Sequence, residues 1–172
     1  MTHMHPPLRW RELRSTDLPA VKAIADQVHP SFPEDLAVFA ERFQLYSPGL
    51  RLLEGDAGAV GYLVSHPLRS GTLPTLNERV VRIPLMTDSY YLHDLALLPV
   101  ARGTGAANAV VTQMTEHARG AGFDLMSLVA VNGSTSFWQR HGFTIEANVA
   151  LREKLGSYGP EACFMVRRMT PK

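Results

Sequence analysis

The feature that most constrains this chain is a strand, a glycine-containing loop and a long helix in direct succession near its middle. Residues 90–97 predict a strand, and residues 105–121 predict a helix with apolar inward positions. Glycines allow a tight turn and a close approach to a ligand, and the free N–H groups at a helix start favour an anion. We therefore expect a phosphate or pyrophosphate at the start of this helix. The loop residues are Arg102, Gly103, Thr104, Gly105, Ala106 and Ala107.

An ordinary glycine-rich turn before a helix would produce the same short pattern. The loop is not a P-loop, because the lysine and hydroxyl residue of that motif are missing after its last glycine. It also lacks the third glycine and the repeated βαβ units of a Rossmann dinucleotide site. Arg102 adds a guanidinium that can make charge-assisted hydrogen bonds to a phosphate. Taken alone, the motif indicates an anion at a helix start without naming the ligand.

The periodicity of the whole chain predicts an α+β fold, a mixed central sheet of six to seven strands flanked by four helices. Predicted strands cover 8–13, 50–54, 59–65, 90–97, 125–131, 143–150 and 163–169. Predicted helices run from a cap at Thr16 or Asp17 to Val28 and over 34–45, 105–121 and 134–141, the second with Leu36, Phe39, Ala40 and Phe43 facing inward. Residues 67–88 are irregular and long for a connection, which is typical of functional segments.

Length and composition indicate a single domain over residues 8–172 after a flexible lead at 1–7. The formal net charge of +1 argues against a strongly basic nucleic-acid binder, and no apolar run is long enough to cross a bilayer. The single cysteine, Cys163, excludes an intrachain disulfide and a cysteine metal cluster, and it is compatible with a cytoplasmic location. His3 and His5 lack a fixed scaffold, so we expect no metal site.

The loop and the strand before it resemble the GNAT family of N-acetyltransferases. Arg102, Gly105 and Ala107 are spaced as in the family's Gln/Arg-x-x-Gly-x-Gly/Ala motif. Residues 93–99 are similar to the strand that precedes this motif in the family. The order of predicted elements is also GNAT-like across nearly the whole chain.

A second block, further along the chain, resembles the same family. Asn132 is followed six residues later by the aromatic Trp138, and then by Gly142 and Phe143. The family has this pattern with a tyrosine as the usual aromatic residue. Two blocks in the expected elements and at the expected separation make the resemblance specific.

The resemblance implies the GNAT fold, acetyl-CoA as cosubstrate, and direct attack of an amine on its thioester. It implies that backbone N–H groups of residues 103–107 bind the pyrophosphate. It also implies that the strands over 90–97 and 125–131 splay apart, with the pantetheine arm between them. Further cofactor contacts implied by the resemblance involve Leu95, Ala96, Leu97, Asn132, Phe137, Trp138 and Arg140.

His93 is the first candidate for the base that takes a proton from the attacking ammonium, since free imidazole has a pKa of about 6.5. It alternates with Tyr91 on one strand face, and Tyr91-x-His93 resembles the His-x-His of the arylalkylamine acetyltransferases. The alternative is a buried histidine bonded to the backbone. Asp94 is predicted on the opposite face. There it acts as a base, attracts an amine or, in the interpretation we favour, pairs with a neighbouring cation.

Trp138 stands where the family usually has the tyrosine that protonates the leaving thiolate. The indole N–H is a donor only, so Trp138 is expected to pack against the pantetheine or bond the sulfur. The thiolate needs no strong acid, because free thiols have a pKa of about 8.5. Tyr158 is the substitute acid by resemblance, and a solvent-exposed loop position is the alternative that we favour for it.

The sequence favours acetylation of a small-molecule amine, and Phe32, Tyr90 and Tyr91 favour an acceptor with an apolar body. One alternative is a protein or peptide N-acetyltransferase. Another is a CoA-binding module without turnover, because Trp138 replaces the tyrosine. No nucleic-acid or membrane partner is expected. Dimers are common among the relatives, so a homodimer stays open.

Overall fold

The computed structural model describes residues 7–170, and the predicted lead at 1–7, with His3 and His5, lies almost wholly outside this range. Its strands are β1 (Arg9–Glu12), β2 (Leu50–Gly55), β3 (Gly58–Leu68), β4 (Ser89–Leu97), β5 (Leu125–Ala130), β6 (Thr144–Ile145) and β7 (Cys163–Arg168). Its helices are α1 (Leu18–Val28), α2 (Leu36–Tyr46), α3 (Ala106–Gly120), α4 (Thr135–Arg140) and α5 (Arg152–Gly156). The predicted α+β fold with a mixed sheet is confirmed.

The strands form one seven-stranded sheet in the order β1-β2-β3-β4-β5-β7-β6. All neighbours are antiparallel except β4 and β5. Apolar residues of α3 pack with β4 and β5 in one core cluster, and those of α1 and α2 pack with β2 and β3 in another. The sheet is therefore covered by helices on both faces, with the parallel pair at its centre.

The two parallel strands separate after their first few residues. Their pairing covers only Tyr90 with Met126, Tyr91 with Ser127 and Leu92 with Leu128. Beyond Leu92, β4 continues along β3 as far as Leu97, whereas β5 follows β7 to its end. Each strand is thus held by its antiparallel neighbour, and the predicted splay is confirmed as a gap in the middle of the sheet.

A β-bulge lies in β4 where the gap opens. Val64 of β3 faces Asp94 while the next residue, Ser65, faces Leu92, so His93 is the extra residue. A bulge shifts the alternation of side chains along a strand and is a common device beside active sites. His93 and Asp94 consequently both face the segment between α1 and α2, and the expectation that they point to opposite faces was wrong.

Two other expectations need correction. The strand predicted over 143–150 is reduced to the two residues of β6, because Asn148 turns the chain by accepting a hydrogen bond from the backbone N–H of Ala150. The helix α5, which follows this turn, was not expected.

In α2 the inward face is shifted: Leu36 is exposed, whereas Val38 and the ion pair Glu41–Arg42 are buried. Charged residues therefore occupy part of a face for which apolar residues were predicted.

Of the segment 67–88, which was predicted to be irregular, Pro67 and Leu68 belong to β3, and residues 69–88 contain no helix or strand. Between residues 7 and 170, no helix is long and apolar enough to span a bilayer. Within the same range, no three His, Cys, Asp or Glu side chains come together in a way that could hold a metal ion.

Candidate active site

A pocket of about 530 Å³ lies in the gap between β4 and β5. One end is formed by the splayed strands, the loop before α3 and the region around α4, and it includes Leu95, Leu97, Arg102, Ala107, Asn132 and Trp138. The other end is formed by the α1–α2 connection, the segment 69–88 and the loop after α5. It includes Val28, Phe32, Glu34, Leu76, His93 and Tyr158. The pocket thus connects the predicted phosphate loop with a mixed aromatic and ionisable chamber.

Two histidine–carboxylate pairs cross between β4 and the α1–α2 connection. His93 Nε2 lies 2.7 Å from Glu34 Oε1, and His29 Nε2 lies 2.9 Å from Asp94 Oδ1. His93 of β4 therefore pairs with a carboxylate of the α1–α2 connection, and the next residue, Asp94, pairs with a histidine of the same connection. All four residues line the pocket.

The His93–Glu34 pair is the more deeply buried of the two, with side chains 1% and 6% exposed. If His93 Nε2–H donates to Glu34, its Nδ1 carries the lone pair, and this atom has no hydrogen-bond partner among the described residues. The second carboxylate oxygen of Glu34 accepts from the backbone N–H of Asn77 at 3.2 Å. Glu34 therefore orients His93 and leaves its buried Nδ1 without a hydrogen-bond partner among the described residues.

The second pair extends into a chain of four polar groups. Asp94 accepts hydrogen bonds from Tyr62 Oη and His29, and His29 Nδ1 lies 3.3 Å from the side-chain nitrogen of Asn132. Burial alone would lower the pKa of His29, but the hydrogen bond and charge of Asp94 outweigh it, so the pKa is raised. Burial raises the pKa of Asp94, but the bonds from His29 and Tyr62 prevail and the pKa is lowered.

The loop before α3 adopts the conformation that its glycines allow. Gly103 and Gly105 have φ of 72° and 85°, and a Cβ at either position would meet no atom of the described residues within 4 Å. The glycines are therefore needed for the left-handed backbone, while the space beside them is open for a ligand. The first N–H groups of α3 lack intrahelical acceptors by the geometry of a helix, which makes such a helix start a favourable place for an anion. The N–H of Ala106 donates to Thr104 Oγ1 at 3.3 Å.

Neighbouring groups fix the position of this loop. Thr104 Oγ1 donates to the carbonyl of Ala101 at 2.6 Å, and Trp10 of β1 donates its indole N–H to the carbonyl of Ala106 at 2.8 Å. Arg102 Nε donates to the carbonyl of Leu97 at 3.2 Å, and its exposed side chain lines the pocket. The start of α3 is thus anchored to the sheet at the mouth of the gap.

The predicted second block, residues 132–143, forms the side of the pocket opposite the loop before α3. Asn132 has a φ of 54° and begins the turn into α4. Trp138 is buried, packs edge-on against Phe137 and Phe143, and lines the pocket together with Phe137. Arg140 lies on the outside of α4 over the Phe137 ring and does not reach the pocket.

The two predicted tyrosines differ in position. Tyr91 is fully buried, and neither it nor Tyr90 lines the pocket, so the structure does not bring them to a bound acceptor. Tyr158 is 7% exposed, lines the pocket and donates its hydroxyl to the carbonyl of Pro74 at 2.8 Å. The favoured expectation of a solvent-exposed Tyr158 was wrong, because residues 69–88 cover it.

The segment 69–88 joins the two loops that border the inner end of the pocket. On one side it contacts the loop after α5 through Tyr158 and through a 3.0 Å bond from the Leu76 N–H to Ser157 Oγ. On the other side Asn77 bonds Glu34 and also accepts from the Asp35 N–H at 2.8 Å. The segment thereby forms a wall across the chamber, with Leu76 facing the pocket.

Sequence reasoning missed His29 and Glu34. Both flank prolines in a short connection, and their sequence neighbourhood predicted only a helix end and a helix start. Their partners lie 65 and 59 residues away in the chain. No local signal could have found them.

The sequence matches a model of the acetyltransferase (GNAT) family over residues 9–143. No curated protein matches the chain. Among solved structures, the loading GNATL domain of CurA from Lyngbya majuscula is similar with a TM-score of 0.76 and 13% identity over 94% of this chain and 98% of that one.

Two further solved structures are similar in fold. The ribosomal-protein-S18-alanine N-acetyltransferase from Escherichia coli has a TM-score of 0.67 and 16% identity over 96% of both chains. The N-acetylglutamate synthase from Neisseria gonorrhoeae, solved with coenzyme A and N-acetyl-glutamate, has a TM-score of 0.70 and 17% identity, covering 95% of this chain and 35% of that chain. With the family match covering most of its length, the chain belongs to the acetyltransferase (GNAT) family.

Proposed function

We propose that this protein transfers the acetyl group of acetyl-CoA to a primary amine of a small molecule by direct attack of the amine on the thioester. The observation that carries the proposal is the continuous pocket from the start of α3 to the His93–Glu34 pair. This pocket runs from the anion site at the start of α3, through the gap between β4 and β5, to His93 as the proton acceptor. The Neisseria gonorrhoeae relative was solved with coenzyme A, which supports acetyl-CoA as the cosubstrate.

The backbone supplies the binding of the cosubstrate. N–H groups at residues 103–107 bind the pyrophosphate, with Arg102 beside them. Beyond Leu92, the β4 edge that faces β5 pairs with no strand of the described range, so its peptide groups are free for the pantetheine and the thioester oxygen. Fixed N–H donors at that oxygen stabilise the negative charge that develops during attack.

The His93–Glu34 pair removes a proton from the substrate. Only a neutral amine attacks, so the ammonium must lose a proton before or during the reaction. Glu34 attracts the ammonium and orients His93, whose Nδ1 accepts the proton. Val28, Phe32 and Leu76 line the same end and favour an acceptor with an apolar body.

The wall formed by residues 69–88 supports a small acceptor over an extended peptide. It ties the Glu34–Asp35 region to the Ser157–Tyr158 region and crosses the end of the chamber. A peptide chain running through this end would have to displace several of these bonds. A compact amine fits without displacing them.

The test follows thiol release from acetyl-CoA in the presence of aliphatic, arylalkyl and amino-acid amines and, in parallel, short peptides with free N-termini. We expect amine-dependent release with a small amine that has an apolar body, and an acetylated product of the corresponding mass. Faster turnover of peptides would replace the small-molecule assignment with a peptide one. Tight acetyl-CoA binding with no release across both panels would favour a CoA-binding module instead.

A further inference from the structure

The inner end of the pocket combines one carboxylate with apolar side chains. Glu34 lies there beside His93, and its side chain is 6% exposed. Its direct partners are the imidazole of His93 and the backbone N–H of Asn77, neither of which carries a fixed positive charge. Val28 and Phe32 line the same end. The inner end therefore presents a negative charge to a ligand within mainly apolar walls.

The cationic groups of the pocket are already engaged or lie at its other end. Arg102 lies beside the phosphate loop and donates to the carbonyl of Leu97 at 3.2 Å. His29 has a partner at each ring nitrogen, Asp94 at Nε2 and Asn132 at Nδ1. Within the described part of the chain, no lysine and no further arginine lines the pocket.

A buried arginine behind the site is also engaged. Arg42 of α2 lies close enough to Glu34 to feel its charge, but it does not line the pocket. Its terminal nitrogens donate to the Glu41 carboxylate at 2.9 Å and to the Glu78 carbonyl at 3.1 Å. Arg42 therefore balances Glu41 and is out of reach of a bound acceptor.

The gap between the strands fixes where the amine nitrogen must lie. The gap ends where Leu92 pairs with Leu128, so a thioester carried between the strands lies beside His93. The attacking nitrogen has to meet the thioester there. In an α-amino acid the carboxylate carbon is two bonds from that nitrogen, about 2.5 Å away. Such a carboxylate would enter the inner end together with the amine.

Both surroundings of the amine position disfavour a carboxylate. On the side of Glu34 it meets a like charge, and like charges at short range repel strongly in a buried site. On the side of Val28, Phe32 and Leu76 it loses its hydration and gains no partner. An amine with an apolar body instead pairs its single charge with Glu34 and buries the remainder against these side chains.

We propose that the inner end selects primary amines without a carboxylate next to the nitrogen and rejects the corresponding amino acids. The inference rests on the proposed acetyl transfer and names the substrate class of the same site. Glu34 determines the charge that is accepted, and Val28, Phe32 and Leu76 determine the apolar body. The selection acts against net negative charge at the amine end and not against the size of the acceptor.

The first arm of the test compares kcat/KM within matched pairs: phenethylamine with phenylalanine, tyramine with tyrosine, and 3-methylbutylamine with leucine. The members of a pair differ only in the carboxylate. We expect the amine to be preferred by at least about 100-fold, since a like charge in a buried site is strongly disfavoured. Phenylalaninamide, which keeps the added bulk without the negative charge, should recover most of this loss. Equal kcat/KM within the pairs would overturn the inference and leave the proposed function standing.

The second arm supplies the missing cation. Leu76→Arg places a guanidinium in the wall of the pocket, and Leu85→Arg is the matched control, because Leu85 is fully exposed in the same segment and does not line the pocket. Leu76→Arg should raise the ratio of phenylalanine to phenethylamine turnover by at least about tenfold, since arginine pairs well with a carboxylate. Leu85→Arg should leave the ratio unchanged. Phe32→Arg takes the place of Leu76→Arg if that variant does not fold. The same ratio in wild type, variant and control would contradict selection by charge.

The third arm does not need turnover. Calorimetry on the protein saturated with coenzyme A measures the affinity for phenethylamine and for phenylalanine. We expect the amine to bind more tightly by at least about tenfold. This preference without acetylation of any amine would contradict the proposed function and still support the charge selection. Equal affinity for the two compounds, or binding of neither, would overturn the selection.

Discussion

At the scale of single residues, the site depends on two histidine–carboxylate pairs that join β4 to the α1–α2 connection. His93 and Asp94 are consecutive in β4, and each pairs with the complementary type from the α1–α2 connection. The sequence identified His93 and Asp94 as candidates because they precede the loop motif. Their partners could not be predicted, since the bulge that turns both side chains to one face leaves no local signal.

Glu34→Gln and His93→Gln should each lower kcat/KM for the amine by about 100-fold, the usual range for loss of a general base. The two residues act as one unit, so the double variant should be little worse than either single variant. Steady-state kinetics near neutral pH measures all three. Additive losses in the double variant would show that the residues act independently and would contradict the pair.

Tyr158→Phe should keep kcat within about threefold of wild type, because its hydroxyl ties the wall to the carbonyl of Pro74 instead of donating to the sulfur. Loss of one buried hydrogen bond typically costs about 1 kcal/mol. The unfolding free energy should fall by this amount and KM for the amine should rise modestly. A variant with unchanged stability whose turnover falls about 100-fold would return Tyr158 to the role of acid.

At the scale of elements, the strand–loop–helix unit was predictable and its surroundings were not. The bounds of β4 and α3 follow the sequence pattern to within a residue, because apolar periodicity and the glycines act locally. The strand predicted over 143–150 covers only Thr144–Ile145 in the structure, since β6 is an edge strand that pairs with β7 alone. The inward face of α2 was misassigned because residues 78–80, far along the chain, bury Glu41 and Arg42.

Gly105→Ala should weaken acetyl-CoA binding by about tenfold, because a left-handed backbone costs an L-residue roughly 1–2 kcal/mol and this position begins α3. Gly120→Ala is the matched control in the last turn of the same helix, where an added Cβ meets no neighbour among the described residues. It should leave binding unchanged and preserve or raise the melting temperature. Equal affinities in the two variants would argue against the α3 start as the phosphate site.

At the scale of the whole molecule, the sheet opens a gap and the long connection 69–88 closes one end of it. The order of elements could be predicted from the periodicity of the chain, and the family from two motifs and their separation. The wall could not, because an irregular segment carries no periodicity and its anchors, Glu34, Ser157 and Tyr158, are distant in sequence. The acceptor-binding half of the site thus depends on long-range contacts, while the cofactor half depends on local ones.

Stability should fall on acidification through His66. This residue is fully buried in β3 and its Nε2 has no partner within the described range, so burial lowers its pKa to about 3. The unfolded chain takes up the proton near pH 6.5 and the native state does not, so stability is lost as pH falls below 6.5. A single group of this kind contributes ~1.4 kcal/mol per pH unit.

Denaturant unfolding of wild type and His66→Leu at about pH 7.5, 6 and 5 measures this effect. The variant should lose less stability between pH 6 and pH 5 than wild type by about 1 kcal/mol. The test compares slopes, so it does not depend on whether the substitution itself weakens the fold. Parallel curves for the two proteins would exclude His66 as the source of acid sensitivity.

The most direct test of the central claim is calorimetric titration of the wild-type protein with acetyl-CoA and, separately, with S-acetylpantetheine, which lacks the pyrophosphate and the nucleotide. If the start of α3 holds the pyrophosphate, acetyl-CoA binds with one-to-one stoichiometry and S-acetylpantetheine binds more weakly by at least about 100-fold, a loss of about 2.7 kcal/mol. Absence of acetyl-CoA binding, or equal affinity for the two ligands, would contradict a pyrophosphate site at the start of α3.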